Sequence, residues 1–349
     1  MKHTLLLFLL SLSLSLSAQN RCFRIMEYNV ENLFDTIHAP GKQDVDFTPQ
    51  GKYRWTSNLY HAKLGKLARA IVAVGGTLPP DIIVLCEVEN DSVIRDLCRH
   101  TSLCRLGYEY IVTHSADRRG INVAVLYQPM AFRPFETDTL RIAYHPATEK
   151  PTRDVLRVSG RVASGDTLDI MAVHWPSRAG GQEKTEPYRI RTAQRIRAAA
   201  DSLIQHRLRP ALVITGDCND EFHNRSLSEG LHALLPQPPF ADMSLYILSA
   251  NLRGPEDIRG TYKFRGEWNQ LDQFVVNGAL LRAAEGLRTT PSACRIVHFP
   301  FLTEPDSSGG LKPRYTFVGP HYHGGTSDHL PLLLDLYEGG NSQEKRPSQ

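Results

Sequence analysis

The chain has 349 residues, of which 41% are hydrophobic and 22% charged. That composition excludes a disordered or fibrous protein and gives enough length for one large domain or two ordinary ones. The net charge of +3 is too small to argue by itself for a nucleic-acid binder.

Residues 1–18 read as a signal peptide. Lys2 and His3 form a short basic start, Leu5 to Leu10 is apolar, and Ser15, Ser17 and Ala18 offer a cleavage site before Gln19. The run is too short to span a bilayer, and no later stretch approaches the roughly 20 apolar residues that spanning needs. The expected location is periplasmic or secreted. In such a compartment the six cysteines can oxidise. Cys98 and Cys104 are close enough in sequence for a loop-closing disulfide. Cys86 and Cys218 lie in strand-like runs and are expected as buried free thiols.

In chain order, Cys22 to Val30 reads as a first strand and residues 40–56 as a polar loop. From Ser57, the residues Leu64, Leu67, Ala68, Ile71 and Val74 recur at helical spacing until Gly75-Gly76. Asp81 to Val88 is a nearly continuous apolar run, the mark of a buried strand. Asn122–Tyr127, Leu168–His174, Ala211–Thr215 and Gln270–Val276 read as further strands, with a helix over Pro187–Gln205. Many strands with a few long helices argue for packed sheets covered by helices. No linker divides residues 19–338, so one domain is expected, followed by a polar, disordered tail over 339–349. Nothing marks an obligate protein partner, and a monomer is expected.

Polar residues gather at the ends of the apolar runs: Asn29 and Glu31, Glu87, His174, Asp217 and Asn219, Asp272, and Asp328-His329. Strands ending on one edge would bring them together, where open sheets place ligands. Carboxylates suit a hard divalent cation, amides can orient a phosphate, and histidines move protons or carry charge. Phosphoester hydrolysis needs that set. A lone acid at a strand end is more often a turn former or helix cap. The joint pattern argues against this for the whole set, least so for Glu31 and Arg153. His321 and His323 lack a further ligand at motif spacing, so a solvent-facing loop is expected there instead of zinc. Cys218, between Asp217 and Asn219, should point away from both under strand alternation and is not read as a nucleophile. Arg178, Lys184, Arg189, Arg191, Arg195 and Arg197 crowd one loop and helix. Arg178 is the one expected to face substrate, and the rest to face solvent.

The segments EYNVEN (27–32), LCEVEN (85–90), AVHWPS (172–177), TGDCND (215–220), WNQLDQF (268–274) and TSDHLP (326–331) resemble the endonuclease/exonuclease/phosphatase superfamily, in its exported bacterial branch. That superfamily includes DNase I and the neutral sphingomyelinases. The resemblance implies a four-layer DNase I-like α+β sandwich, two packed mixed β-sheets flanked by helices. It implies Glu87 as principal metal ligand, with Asn29, Glu31 and Asp328 beside it, and Mg²⁺ as the ion, with Mn²⁺ or Ca²⁺ as alternatives. It implies Asp217 on the attacking water, Asn219 and His174 on the phosphate, and His329 as the charged or acid/base group oriented by Asp272. Arg153 and Arg178 are weaker candidates for phosphate contact. The expected activity is phosphodiester hydrolysis by a DNase- or RNase-like nuclease. A phosphatase or a phospholipase C- or sphingomyelinase-like enzyme is the second reading. A non-catalytic binding module is a third, disfavoured because no acid or histidine of the set is missing.

Overall fold

The computed structural model describes residues 21–142 and 152–338. The expected signal peptide and C-terminal tail lie outside the described residues. The strands are β1 (Arg21–Leu33), β2 (Ile82–Val88), β3 (Glu109–Val112), β4 (Asn122–Tyr127), β5 (Phe132–Leu140), β6 (Val155–Val162), β7 (Thr167–His174), β8 (Leu212–Asp217), β9 (Ala233–Leu234), β10 (Leu245–Ile247), β11 (Tyr262–Phe264), β12 (Glu267–Asn269), β13 (Asp272–Asn277), β14 (Cys294–Ile296), β15 (Thr303–Pro305), β16 (Leu311–Pro313), β17 (Phe317–Val318), β18 (His321–Tyr322) and β19 (Leu332–Glu338). The main helices are α1 (Ser57–Gly75), α2 (Asp91–Arg99) and α3 (Gln182–His206).

Two mixed sheets carry the fold. One has six strands in the order β14-β19-β1-β2-β4-β3, the other seven in the order β5-β6-β7-β8-β13-β10-β9. Their inner faces meet in a core that includes Ile25, Val84, Val125, Ile170, Val213 and Phe274. Helices α1 and α2 cover the outer face of the six-stranded sheet through Leu64, Leu67, Ile71, Val93 and Leu97. Helix α3 covers the seven-stranded sheet through Ala193, Ile196, Ala200 and Leu203. The result is the expected four-layer α+β sandwich. The central strands β2, β8 and β13 are buried on both faces, which is why β2 and the start of β8 are nearly continuous apolar runs.

Several expectations need correction. Cys98 and Cys104 form no disulfide: Cys98 packs into the core from α2, while Cys104 is exposed on the following turn. Helix α3 begins at Gln182, five residues before the expected Pro187. The polar segment before α1 is anchored by Trp55, fully buried and donating its indole N–H to the Phe34 carbonyl at 2.9 Å. Arg189 faces a buried carboxylate instead of solvent, as described below.

Candidate functional site

Strand direction and register assemble the site. Strands β1 and β2 run parallel, so Asn29, Glu31 and Glu87 emerge at one edge. Strand β19 runs antiparallel to β1, so the residues just before it, Asp328 and His329, reach the same edge. In the other sheet, β7 and β8 are parallel with His174 opposite Asp217, and β8 and β13 are antiparallel with Asp217 opposite Asp272. The paired residues share a face, which sets His174, Asp217 and Asp272 in one row. Gly216 permits this close pairing, since a Cβ there would lie 1.8 Å from the Val173 carbonyl oxygen.

The backbone turns sharply where the side chains converge. Glu31, Glu87 and Asn219 take left-handed conformations with φ of 49°, 65° and 52°. Such conformations are uncommon outside glycine and cluster at functional sites. Asn219 is held by three bonds: its N–H donates to Asp217 Oδ1 at 2.7 Å, and its Nδ2 donates to Asp217 Oδ2 at 3.1 Å and the Trp175 carbonyl at 3.2 Å. Asn29 Nδ2 donates to the same Asp217 oxygen, Oδ2, at 3.0 Å.

The dyad expected from sequence is formed. His329 Nδ1 lies 2.6 Å from Asp272 Oδ2, with both residues buried. Burial opposes charge on the imidazole, but the carboxylates of Asp272, Asp328 and Asp217 outweigh it and hold the His329 pKa well above its ordinary value. His174 is the opposite case. Burial, reinforced by Arg153 and Arg119, pushes its pKa well below the usual histidine range. Its Nε2 lies 3.6 Å from Asp217 Oδ2 and 3.9 Å from Glu87 Oε1. The two environments thus favour a cationic His329 and a neutral His174. Burial, followed by the Asp272 charge, raises the Asp217 carboxyl to about 7.

On the other side, Glu31, Glu87 and Asp328 concentrate negative charge. Burial and then the charges of Glu31 and Glu87 push Asp328 well above the usual carboxylate range. Two cations answer them, His329 and the buried Lys63. Mutually repelling oxygen donors fit a hard divalent cation. Asp217, Asp272 and His329 also bring one ligand atom each within 4.8 Å of one another. The short Asp272–His329 bond contributes to that closeness. Glu31 is less available than its neighbours, because its carboxylate accepts the main-chain N–H groups of Thr316 at 2.6 Å and Phe317 at 3.1 Å.

The two arginines sit behind the row. Arg153 is buried, donates to the Trp175 carbonyl and lies 3.7 Å from Asp117. Arg178 donates to the Asn219 carbonyl at 2.7 Å. Cys218 packs into the apolar cluster beneath α3, away from Asp217.

Sequence reasoning missed several contributors. Glu27, fully buried, sits near Asp272, and burial followed by the Asp272 charge pushes its carboxyl well above normal. Its signal was available: a residue two before Asn29 on a strand shares its face. Lys63 sits among the apolar positions of α1 and donates to the Glu31 carbonyl at 2.8 Å and Thr316 Oγ1 at 2.5 Å. Ser327 Oγ donates to the Asn29 carbonyl at 2.6 Å and accepts the His329 N–H at 3.1 Å, tying β1 to the dyad. Tyr262 packs against His329 with centroids 4.9 Å apart.

Glu89, at the end of β2, gives a test of these electrostatics. It accepts the Asp35 N–H at 2.7 Å, and burial, then Asp35 and Asp44, raise its carboxyl to about 8. A raised folded-state pKa gives stability that is present at low pH and lost as pH rises through about 8. Glu89→Gln, assayed in EDTA, should therefore raise Tm at pH 9 by about 2–4 °C and leave it unchanged at pH 4.5. Equal effects at both pH values would refute the shift.

Solved structures share this architecture. An endonuclease/exonuclease/phosphatase from Bacteroides vulgatus aligns at TM-score 0.57 and 16% identity, covering 90% of this chain and 98% of its own. Danio rerio TDP2 complexed with a single-strand DNA product aligns at 0.54 and 14%, covering 90% and 98%. The human Nocturnin catalytic domain with bound sulfate aligns at 0.52 and 16%, covering 91% and 98%. Comparison with curated proteins gives no match. The Endonuclease/Exonuclease/phosphatase family profile matches residues 24–338, which span both sheets and every residue of the site, so the chain belongs to that family.

Proposed function

We propose that this protein is a divalent-metal-dependent phosphodiesterase acting on nucleic acid, exported by the signal at residues 1–18 and active as a monomer. The observation that carries the reading is the convergence at one edge of the His329–Asp272 dyad, the Asp217–Asn219–Asn29 cluster, neutral His174 and the Glu87–Asp328 acids. Glu87, Asn29 and Asp328 would hold Mg²⁺ or Mn²⁺, with Glu31 adding charge and fixing the adjacent loop. Held by these residues, a divalent cation would supply charge neutralisation for the phosphate oxygens and polarisation of the ester.

The remaining work falls to side chains. Asp217, with a carboxyl near neutrality, accepts a proton from the attacking water close to the operating pH. Asn219 orients Asp217 toward the phosphate and its attacking water, and neutral His174 donates to a phosphate oxygen. Cationic His329, held by Asp272, stabilises charge developing on the phosphoryl oxygens.

A second observation supports a nucleic-acid substrate. Phe264, 54% exposed at the tip of the β11–β12 hairpin, stacks on Tyr262 at 6.4 Å and 13°, and Tyr262 packs on His329. Arg265 lies over the Phe264 ring at 5.1 Å. Aromatic faces of this kind stack bases. Among the described residues no helix is long and apolar enough to cross a membrane. The deciding experiment is a panel of duplex DNA, single strands, RNA, sphingomyelin, inositol phosphates and an aryl phosphodiester, with and without Mg²⁺. Cleavage of lipid or inositol phosphates alone would overturn the nuclease reading, and inertness on all would overturn the enzyme reading. Phe264→Ala should raise KM about 5- to 150-fold for an oligonucleotide, equivalent to about 1–3 kcal/mol of stacking, and leave the aryl phosphodiester unaffected.

A further inference from the structure

Arg178 follows the His174-Trp175 turn, and its guanidinium reaches two other segments, the loop after β8 and strand β12. Nε donates to the Asn219 carbonyl at 2.7 Å, Nη1 to Asn269 Oδ1 at 3.4 Å, and Nη2 to Asp220 Oδ1 at 3.2 Å and Asn224 Oδ1 at 3.0 Å. Four of the five N–H donors of an arginine are thus engaged within the protein. Asp220 is fully buried, and its other oxygen accepts from Arg189 Nε at 2.6 Å and Ser226 Oγ at 2.6 Å. Arg189, also fully buried on α3, donates to Thr185 Oγ1 at 2.7 Å and the Gln182 carbonyl at 3.0 Å. One carboxylate therefore bolts the loop after β8 to the helix behind it and to the loop after β7.

We infer that Arg178 and Asp220 form a clamp that positions Asn219, and that Arg178 acts through this clamp and not by contact with the substrate phosphate. The clamped carbonyl belongs to a residue in a left-handed conformation, φ 52°, whose side chain meets Asp217 at 3.1 Å. A non-glycine residue keeps that conformation only where its surroundings determine it. Arg178 supplies the restraint on the carbonyl side, and Asp220 holds Arg178 in place against Arg189. A lysine cannot replace the fork, because its point charge lacks the planar set of donors.

The inference rests on the phosphodiesterase reading for its kinetic test but not for its structural one. The variants are Arg178→Lys, which keeps the charge, and Arg178→Gln, which removes it. Removing Asp220 would strand the buried Arg189 charge and threaten folding, so it is not the test. Both Arg178 variants should lose about 10- to 100-fold in kcat on the best substrate of the panel, with KM within about twofold and an unchanged salt dependence. Backbone amides of residues 218–224 should exchange hydrogen faster in both, with the global unfolding midpoint preserved. A direct phosphate contact predicts the reverse: lysine restores activity, and glutamine raises KM and lowers the salt slope by about one. Lysine rescue, or unchanged exchange over 218–224, overturns the clamp. If the wild type cleaves nothing in the panel, the function reading fails and the exchange measurement alone decides the clamp.

Discussion

Replacing His329 with alanine should lower kcat by about 10²- to 10³-fold, the usual loss on removing a preorganised donor to developing charge. The imidazole stands between the Asp272 carboxylate at 2.6 Å and the Tyr262 ring at 4.9 Å. Its burial is nearly complete. Alanine would leave the buried Asp272 carboxylate without its partner, at a cost of about 1–3 kcal/mol or more for a charged group. His329→Asn is the control, since its amide can donate to Asp272 and protect the fold while lacking the titratable ring. Both variants should be inactive, and the asparagine variant should melt near the wild type. Near-normal turnover in either would sink the assignment. Asp272→Asn sharpens the test. Asp272 is the largest influence holding His329 cationic. Without it the imidazole pKa falls, so the loss of activity on the alkaline side should begin at lower pH. A profile that does not move would show that the dyad does not set the charge of His329.

EDTA should abolish activity, and Glu87→Gln should raise the Mg²⁺ concentration for half-maximal rate at least about tenfold, the lower bound for losing even an outer-layer metal partner. The neighbouring charges make this a large effect. Burial, then Glu31 and Glu87, push Asp328 upward, and a divalent cation relieves that repulsion directly. The same argument gives a readout independent of catalysis. A ligand at 100 times its Kd stabilises the folded state by about 2.7 kcal/mol, so Mg²⁺ should raise the wild-type Tm. Glu87→Gln should show a smaller rise. Its metal-free Tm should equal or exceed that of the wild type, because one of the repelling charges is gone. An unchanged Mg²⁺ titration, by rate and by Tm, would remove Glu87 from the metal site.

The fold and the site differ in how local their determinants are. The buried strands were legible because burial on both faces demands consecutive apolar residues, as in the IIVLCEV of β2. Strand β5 was not, because Phe132–Leu140 lies at a sheet edge with most of its residues exposed. Strand β19, LLLDLYE, carries the same apolar signal as β2 and lies outside the expected strands. The start of α3 was misplaced because Pro187 looks like a first helical residue, whereas the helix already runs through Gln182–Glu186.

For the site, the sequence alone determined the chemistry on offer: acids, amides and two histidines at the ends of apolar runs, in the order of one family. Side-chain type and strand periodicity are local properties, and a single chain displays them. Only the tertiary structure decided how the histidines differ, because burial, reinforced by Arg153 and Arg119, disfavours charge on His174, whereas at His329 the carboxylates of Asp272, Asp328 and Asp217 outweigh burial. Only it showed that Glu31 is spent on the main chain of Thr316 and Phe317. Arg189 is the sharpest case. Its place in an arginine-rich helix suggested a solvated face, but Asp220, 31 residues later, gives it a buried counter-ion at 2.6 Å. Charge is tolerated in a protein interior only when paired, and the partner is chosen by the fold.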